Sequence, residues 1–196
     1  MTATKTKTRE QKLAKVDALV MAADFVAVEQ LSYALRPKQE EKIPSFEDID
    51  QESEAKFLAE LNRCAQKYGM PLRKNIRARF SDDEAIIAYN YGGTIVLNLN
   101  SEPANRAYQK AVYGVGRSKD SALISFMLQV FPHEQAHDSH GDHDMHFFLA
   151  EGKAMREFIL AMLLKSEERD RQGDAKDCLS TQELLKTIAR LGRRTL

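Results

Sequence analysis

The sequence PHEQAHDSHGDHDMHFF, residues 132–148, holds every histidine of this 196-residue chain. The first two, His133 and His137, belong to the pattern His-Glu-x-x-His. If the segment is helical, the four-residue spacing places both imidazoles on one face, one turn apart, with Glu134 beside them. Two such imidazoles can hold a zinc ion, and the neighbouring carboxylate can act as general base on an activated water. The stretch therefore predicts a metal site, and its other histidines are His140, His143 and His146.

A third ligand lies six residues after His137. Gly141 and Asp142 favour a turn that brings His143 back toward the first two histidines. Three protein ligands leave the fourth position of a zinc ion open to water, as in catalytic sites, whereas structural sites are closed by four ligands and rich in cysteine. The two cysteines, Cys64 and Cys178, both lie well outside the stretch. The pattern therefore favours catalysis.

The pattern His133-Glu134-x-x-His137-(x)5-His143-x-x-x-Phe147 resembles the signature of the SprT-like zincin metallopeptidases. The resemblance extends from about residue 121 to residue 155, and the segment that ends at residues 95–98 is similar to the strand before the metal helix in that family. It implies Zn²⁺ as cofactor, the three histidines as its ligands and Glu134 as the catalytic base. It also implies protein substrates, including ones attached to DNA. The ligand spacing equals that of the metzincins too, but their glycine stands one residue earlier than Gly141.

Two features depart from this pattern. Pro132 directly precedes the first ligand, and a proline inside a helix removes a hydrogen bond at a cost of about 3 kcal/mol. The helix is expected either to restart at Pro132 or to bend there. His140 and His146 exceed the needs of a three-histidine site. They could replace His143 as a ligand, bind a second metal, lie in solvent, or contact the ligands without binding the metal.

The composition narrows the classes of partner. The chain has 29 basic residues (lysine plus arginine) and 29 acidic residues (aspartate plus glutamate). Its net charge is therefore zero and does not attract nucleic acid or an anionic membrane. Both ends, residues 4–15 and 186–196, are basic and leave nucleic acid open as a partner. No apolar run approaches the roughly 20 residues that cross a bilayer, so no membrane partner is expected. Two cysteines without a signal peptide predict a cytoplasmic location.

The chain is predicted to be an α+β, mostly helical zincin-like protein of ordinary domain size. Residues 1–50 are predicted to form a basic tail, an amphipathic helix over 9–35 and a linker over 37–50. Residues 51–166 form the metal-binding core, and residues 167–196 form a loop and a terminal helix. A helix with apolar residues from Phe57 to Ala65 is expected to stop at Gly69. Oligomeric state is left open.

Three short strands are predicted before the metal motif, over residues 76–80, 85–89 and 94–98, as an antiparallel meander. Its edge strand could bind an extended peptide. A short helix over 103–113 precedes a helix capped by Ser118 or Asp120, which carries the motif. Asp142 is expected to cap the next helix, with His143 in its first turn and an end near Lys165. After a loop over 166–178, a Ser-x-x-Glu capping box at Ser180 opens the last helix.

The leading prediction is zinc-dependent hydrolysis of peptide bonds. Glu134 would take a proton from the attacking water, and Glu151 could orient an imidazole. Tyr89, Tyr91 and Tyr113 are candidates, by residue type alone, for stabilising the oxyanion. The alternative is a catalytically silent zincin-like module, stabilised by its metal, that mediates protein or nucleic-acid interactions in a larger assembly. Metal sequestration by the histidine and aspartate cluster is a third possibility.

Overall fold

In the computed structural model, the described residues are 45–72, 75–91, 93–141, 143–173 and 177–194. They form an α+β fold, as predicted, and the predicted helix over 9–35 lies outside them. The strands are β1 (Phe46–Asp48), β2 (Asn75–Ser81), β3 (Ala88–Tyr91) and β4 (Thr94–Asn98). The helices are α1 (Gln51–Tyr68), α2 (Glu102–Tyr113), α3 (Gly116–Ala136), α4 (Met145–Gln172) and α5 (Thr181–Arg194).

The four strands form one mixed sheet in the order β1-β2-β4-β3. β2 runs parallel to β4, whereas β1 pairs antiparallel with β2, and β3 pairs antiparallel with β4. The predicted three-stranded antiparallel meander is therefore wrong. β1 also lies within the stretch predicted to be a linker.

The Asn98 side chain stabilises the parallel pairing of β2 and β4. It is fully buried at the end of β4, accepts a hydrogen bond from the backbone N–H of Ser81 at 3.0 Å and donates to the carbonyls of Asp83 and Ile86, each at 2.8 Å. These bonds hold the connection after β2 across the end of β4 and satisfy backbone groups that a tight turn would have paired internally. The chain then enters β3 at the far edge, and the β3–β4 turn returns it beside β2.

Glu54 of α1 forms hydrogen bonds with the part of β2 that extends past β1. Its buried carboxylate accepts hydrogen bonds from the backbone N–H of Ala78 and from the guanidinium groups of Arg77 and Arg79, each at 2.9 Å. A buried carboxylate with three donors keeps its charge at low cost. Burial alone would raise the pKa of Glu54, but these partners outweigh it and lower the pKa.

α1 contains the predicted apolar residues and ends at the predicted residue. Asp50 caps its start by accepting from the N–H of Ser53, and Gly69 ends it in the left-handed conformation with φ of 71°. The apolar side of α1 enters the core between α2, α3, α4 and the sheet. The largest fully buried core side chains include Phe57, Leu61, Tyr68, Ile95, Leu97, Leu123, Ile124, Met127, Phe131 and Phe158.

α3 is one helix that continues through Pro132, so the helix does not restart at the proline. It is buried along much of its length, which fits the prediction of a central helix. The predicted caps are wrong, because α3 begins at Gly116 after Val115, and neither Ser118 nor Asp120 caps it. Asp120 is instead buried among side chains of α1.

α4 starts later and ends later than predicted. Its cap is Asp144, which accepts from the N–H of Phe147 at 2.9 Å, so His143 precedes the helix and does not lie in its first turn. The helix continues to Gln172 because residues in the predicted loop are buried. Arg169 packs 4.7 Å from the centroid of the Tyr68 ring and donates to the carbonyl of Lys67.

The last helix begins as predicted. Glu183 accepts from both the N–H and the hydroxyl of Ser180, and Ser180 accepts from the N–H of Glu183, which completes the capping box. α5 packs against α3 and α4. None of the helices in the described part of the chain combines the length and apolar character needed to cross a membrane.

Candidate metal centre

The C-terminal end of α3 supplies the first two histidines. His133 lies in the last turn, and His137 follows directly with helical backbone angles of φ −63° and ψ −11°. The turn therefore continues far enough to keep both imidazoles on one side, and their ring centroids are 5.1 Å apart. Proximity of these two rings follows from local helical geometry alone.

His143 joins them from the connection between α3 and α4. Its ring centroid lies 5.1 Å from that of His133 and 4.8 Å from that of His137. Nitrogen atoms of the three rings all lie within 4.8 Å of one another, and they are the one group of three or more such side chains suited to a metal among the described residues. The chain thus brings together the three histidines that the sequence nominated as ligands.

Phe147 forms the floor beneath these rings. It is fully buried, and its ring centroid lies 4.9 Å from that of His133, 4.6 Å from that of His137 and 4.5 Å from that of His143. One side chain of α4 therefore contacts every ring in the cluster. Packing of α4 against α3 is thereby coupled to the spacing of the imidazoles.

The Nδ1 atoms of the first two histidines face fixed acceptors. Nδ1 of His133 lies 3.3 Å from Oε1 of Glu151, and Nδ1 of His137 lies 3.3 Å from the backbone carbonyl oxygen of His140. A carbonyl oxygen only accepts, so Nδ1 of His137 carries a proton in this contact. In both neutral rings this leaves Nε2 with a lone pair for a metal.

The donor set fits a zinc ion. Two nitrogen ligands about 2.0–2.1 Å from a tetrahedral zinc stand roughly 3.3 Å apart. Nε2 of His133 and Nε2 of His143 lie 3.2 Å apart. Neutral imidazoles are also the ligands that zinc takes in three-histidine catalytic sites.

The electrostatics of the first two histidines differ. Burial lowers the pKa of His137 to about 4, and the neighbouring charges of His133 and His143 act in the same direction. Burial also acts to lower the pKa of His133, but the hydrogen bond and charge of Glu151, with the charge of Glu134, outweigh it and raise the pKa. The cluster therefore disfavours protonation of all three rings together.

Glu134 is buried at 5% exposure at the end of α3, next in sequence to His133. Its backbone carbonyl accepts a hydrogen bond of 2.6 Å from the side-chain amide of Asn90, which also donates to Asp138 at 3.1 Å. Asn90 thus connects the edge strand β3 to the C-terminal end of α3. No sequence pattern marked this residue, because its partners lie 44 and 48 positions away.

The remaining candidates occupy other positions. The rings of His140 and His146 stack on each other with centroids 6.2 Å apart, and His140 serves the cluster through its backbone carbonyl. Tyr91 is 64% exposed at the end of β3, and Tyr113 is 74% exposed at the end of α2. The ring of Tyr89 lies 6.4 Å from that of Phe46.

A separate cavity lies at the opposite end of α3. It is lined by Arg63, Lys67, Gly116, Arg117, Lys119, Asp120 and Asp177. Although several of these residues are basic, Arg63 and Lys67 pair with Asp120, and Lys119 pairs with Glu60. Matched charges of this kind stabilise the surrounding helices and give little attraction for an anion.

Comparison with known proteins adds no assignment to this geometry. No model of a known protein family matches the chain, and neither curated proteins nor solved structures gave a match.

Proposed function

We propose that this chain is a zinc-dependent hydrolase of peptide bonds, with His133, His137 and His143 as the metal ligands and Glu134 as the general base. The observation that carries the proposal is the 3.2 Å separation of the His133 and His143 Nε2 atoms, with His137 in the same cluster. Three imidazoles without a ligand carboxylate leave the charge of a bound divalent cation unreduced. The carboxylate of Glu134, which is buried and next in sequence to His133, would supply the general base that such chemistry requires.

A zinc ion bound there would act as a Lewis acid and lower the pKa of water toward about 7. The Glu134 carboxylate would take a proton from the attacking water while the water oxygen bonds to the scissile carbonyl carbon. It would then give that proton to the leaving nitrogen as the carbon–nitrogen bond breaks. The products are a carboxylic acid and an amine, and Glu134 returns to its starting charge.

The position of β3 at the edge of the sheet favours a peptide as the substrate. β3 pairs with β4 on one side, and among the described residues no strand pairs with its other side. An extended peptide can add to such an edge through main-chain hydrogen bonds. Asn90 of β3 contacts the carbonyl of Glu134, so a peptide at this edge would lie beside the metal helix.

The base is tested by comparing the wild-type chain with Glu134→Gln. Both should bind one zinc ion per chain, and only the wild type should cleave an unfolded, fluorescently labelled protein. We expect the substitution to lower the cleavage rate by about 10²–10⁴-fold, the usual contribution of a general base. Glu157→Gln, an exposed change on α4, is the matched control and should retain activity. Zinc binding by the wild type without cleavage would favour the silent module instead.

The ligand assignment is tested with the histidines themselves. His143→Ala should release zinc, measured as metal content after gel filtration. His140→Ala should retain it, because His140 contacts the cluster through its backbone carbonyl, which alanine preserves. His146→Ala should also retain it. Loss of zinc from His140→Ala with retention in His143→Ala would show that the assignment is wrong.

A further inference from the structure

We infer that Glu151 is a positioning residue for the metal centre, acting through its contact with His133. This inference rests on the proposed zinc site. Oε1 of Glu151 lies 3.3 Å from Nδ1 of His133, across the interface of α3 and α4. Both side chains are largely shielded, with exposures of 23% for Glu151 and 30% for His133.

A carboxylate at Nδ1 does two things for a histidine ligand. It accepts a hydrogen bond from Nδ1–H, which fixes the tautomer whose Nε2 lone pair is available to the ion. It also fixes the rotation of the ring and increases the electron density that the ring donates. The first effect bears directly on the Nε2 atom that stands 3.2 Å from its counterpart on His143.

The first two ligands are held by different kinds of acceptor. His137 is held by the backbone carbonyl of His140, which no substitution removes, whereas His133 is held by a side chain. Glu151 is therefore the residue at which orientation of one ligand can be tested without altering any ligand. It lies one turn after Phe147, so the same face of α4 supplies the floor of the cluster and the anchor of His133.

Measuring zinc affinity by chelator competition tests the inference. Glu151→Ala should bind zinc about 10–100-fold more weakly than the wild type, the range that outer-shell partners contribute. Glu151→Gln should lose less, because its side-chain carbonyl can still accept from Nδ1 and its shape is nearly the same. Glu157→Ala, an exposed change on the same helix, is the matched control and should leave the affinity unchanged. Zinc affinity of Glu151→Ala equal to that of the wild type would overturn the inference.

A double-substitution cycle separates positioning through His133 from a direct effect of charge. In a His133→Ala background the ring that Glu151 orients is gone, and the two remaining imidazoles bind zinc more weakly, so affinity is measured by direct titration at higher zinc concentration. Adding Glu151→Ala should not weaken zinc binding further in that background. A loss of the same factor in both backgrounds would mean that the carboxylate acts on the ion directly, which would also overturn the inference.

The affinity measurement keeps the two proposals apart. Zinc binding without peptide cleavage would refute hydrolysis, while the ratio of the Glu151→Ala and wild-type affinities would still decide the role of Glu151. A wild-type chain that binds no zinc would refute both.

Discussion

Phe147 contacts all three imidazoles of the cluster, with ring centroids 4.5–4.9 Å apart. Removing a fully buried phenylalanine ring costs about 3–5 kcal/mol through lost burial and the cavity that remains. Phe147→Ala should therefore lower the free energy of unfolding by that amount, measured by urea denaturation without metal. Since the rings also lose their common support, zinc affinity should fall by about tenfold or more.

Phe147→Leu gives the matched comparison, since leucine keeps an apolar group at the floor and leaves a smaller cavity. It should lose less stability and less zinc affinity than the alanine variant. If Phe147→Ala bound zinc as tightly as the wild type, the floor would have no part in spacing the ligands.

The cluster shows which residue-scale features a sequence can specify. The four-residue spacing of His133 and His137 determines their common side through helical geometry, so it was predictable. The cap of the following helix was not predictable, because aspartates stand at both 142 and 144 and the choice depends on the path of the connection from α3 to α4. The predicted cap, Asp142, lies outside the described residues. Asp144 caps, and His143 is consequently held in the connection.

Asn90 joins the edge strand β3 to the C-terminal end of α3. Asn90→Ala removes hydrogen bonds to Glu134 and Asp138, and should lower the free energy of unfolding by about 1–3 kcal/mol. Zinc affinity should change little, because no ligand is touched. Peptide cleavage should fall, since the edge strand loses its tie to the helix that carries the base, and steady-state kinetics on the labelled substrate would measure this.

Asn90→Asp tests the direction of those hydrogen bonds. The carboxylate has no proton to donate at neutral pH and would face both the Glu134 carbonyl and the Asp138 carboxylate, so it should destabilise the fold more than alanine does. Equal stability of the aspartate and wild-type chains would contradict the role given to the amide.

The sheet shows why elements were easier to predict than their pairing. Alternation of apolar residues over 76–80 and the β-branched residues of 94–98 identify strands, but both patterns are the same for parallel and antiparallel partners. The buried Asn98 stabilises the parallel pairing through bonds to residues up to 17 positions earlier in the chain, which no local pattern reveals. The end of α4 was not predictable from the sequence for a similar reason, because Arg169 is stabilised by Tyr68 and Lys67 of α1.

Across the whole molecule, Asp120 links the start of α3 to α1 and to the segment before α5. Its carboxylate is 2% exposed and accepts from Lys67 at 2.7 Å, Arg63 at 2.9 Å and the Tyr68 hydroxyl at 2.9 Å. The Tyr68 hydroxyl in turn accepts from the backbone N–H of Leu179 at 2.8 Å. One buried charge thus organises contacts between parts of the chain more than 50 residues apart.

Asp120→Asn should lower the free energy of unfolding by about 3 kcal/mol at pH 7, because Arg63 and Lys67 lose their shared anion. Burial would raise the pKa of Asp120, but the hydrogen bonds from Lys67, Arg63 and Tyr68 outweigh it and lower the pKa. A lowered folded pKa means that the carboxylate stabilises the fold fully above the ordinary aspartate pKa of about 3.9, and that this stabilisation is lost as pH falls further. Urea denaturation of both chains should therefore show a constant difference from pH 7 to about pH 5 and a narrowing one below about pH 4. A difference that widened on acidification would mean that Asp120 is not held ionised by its three partners.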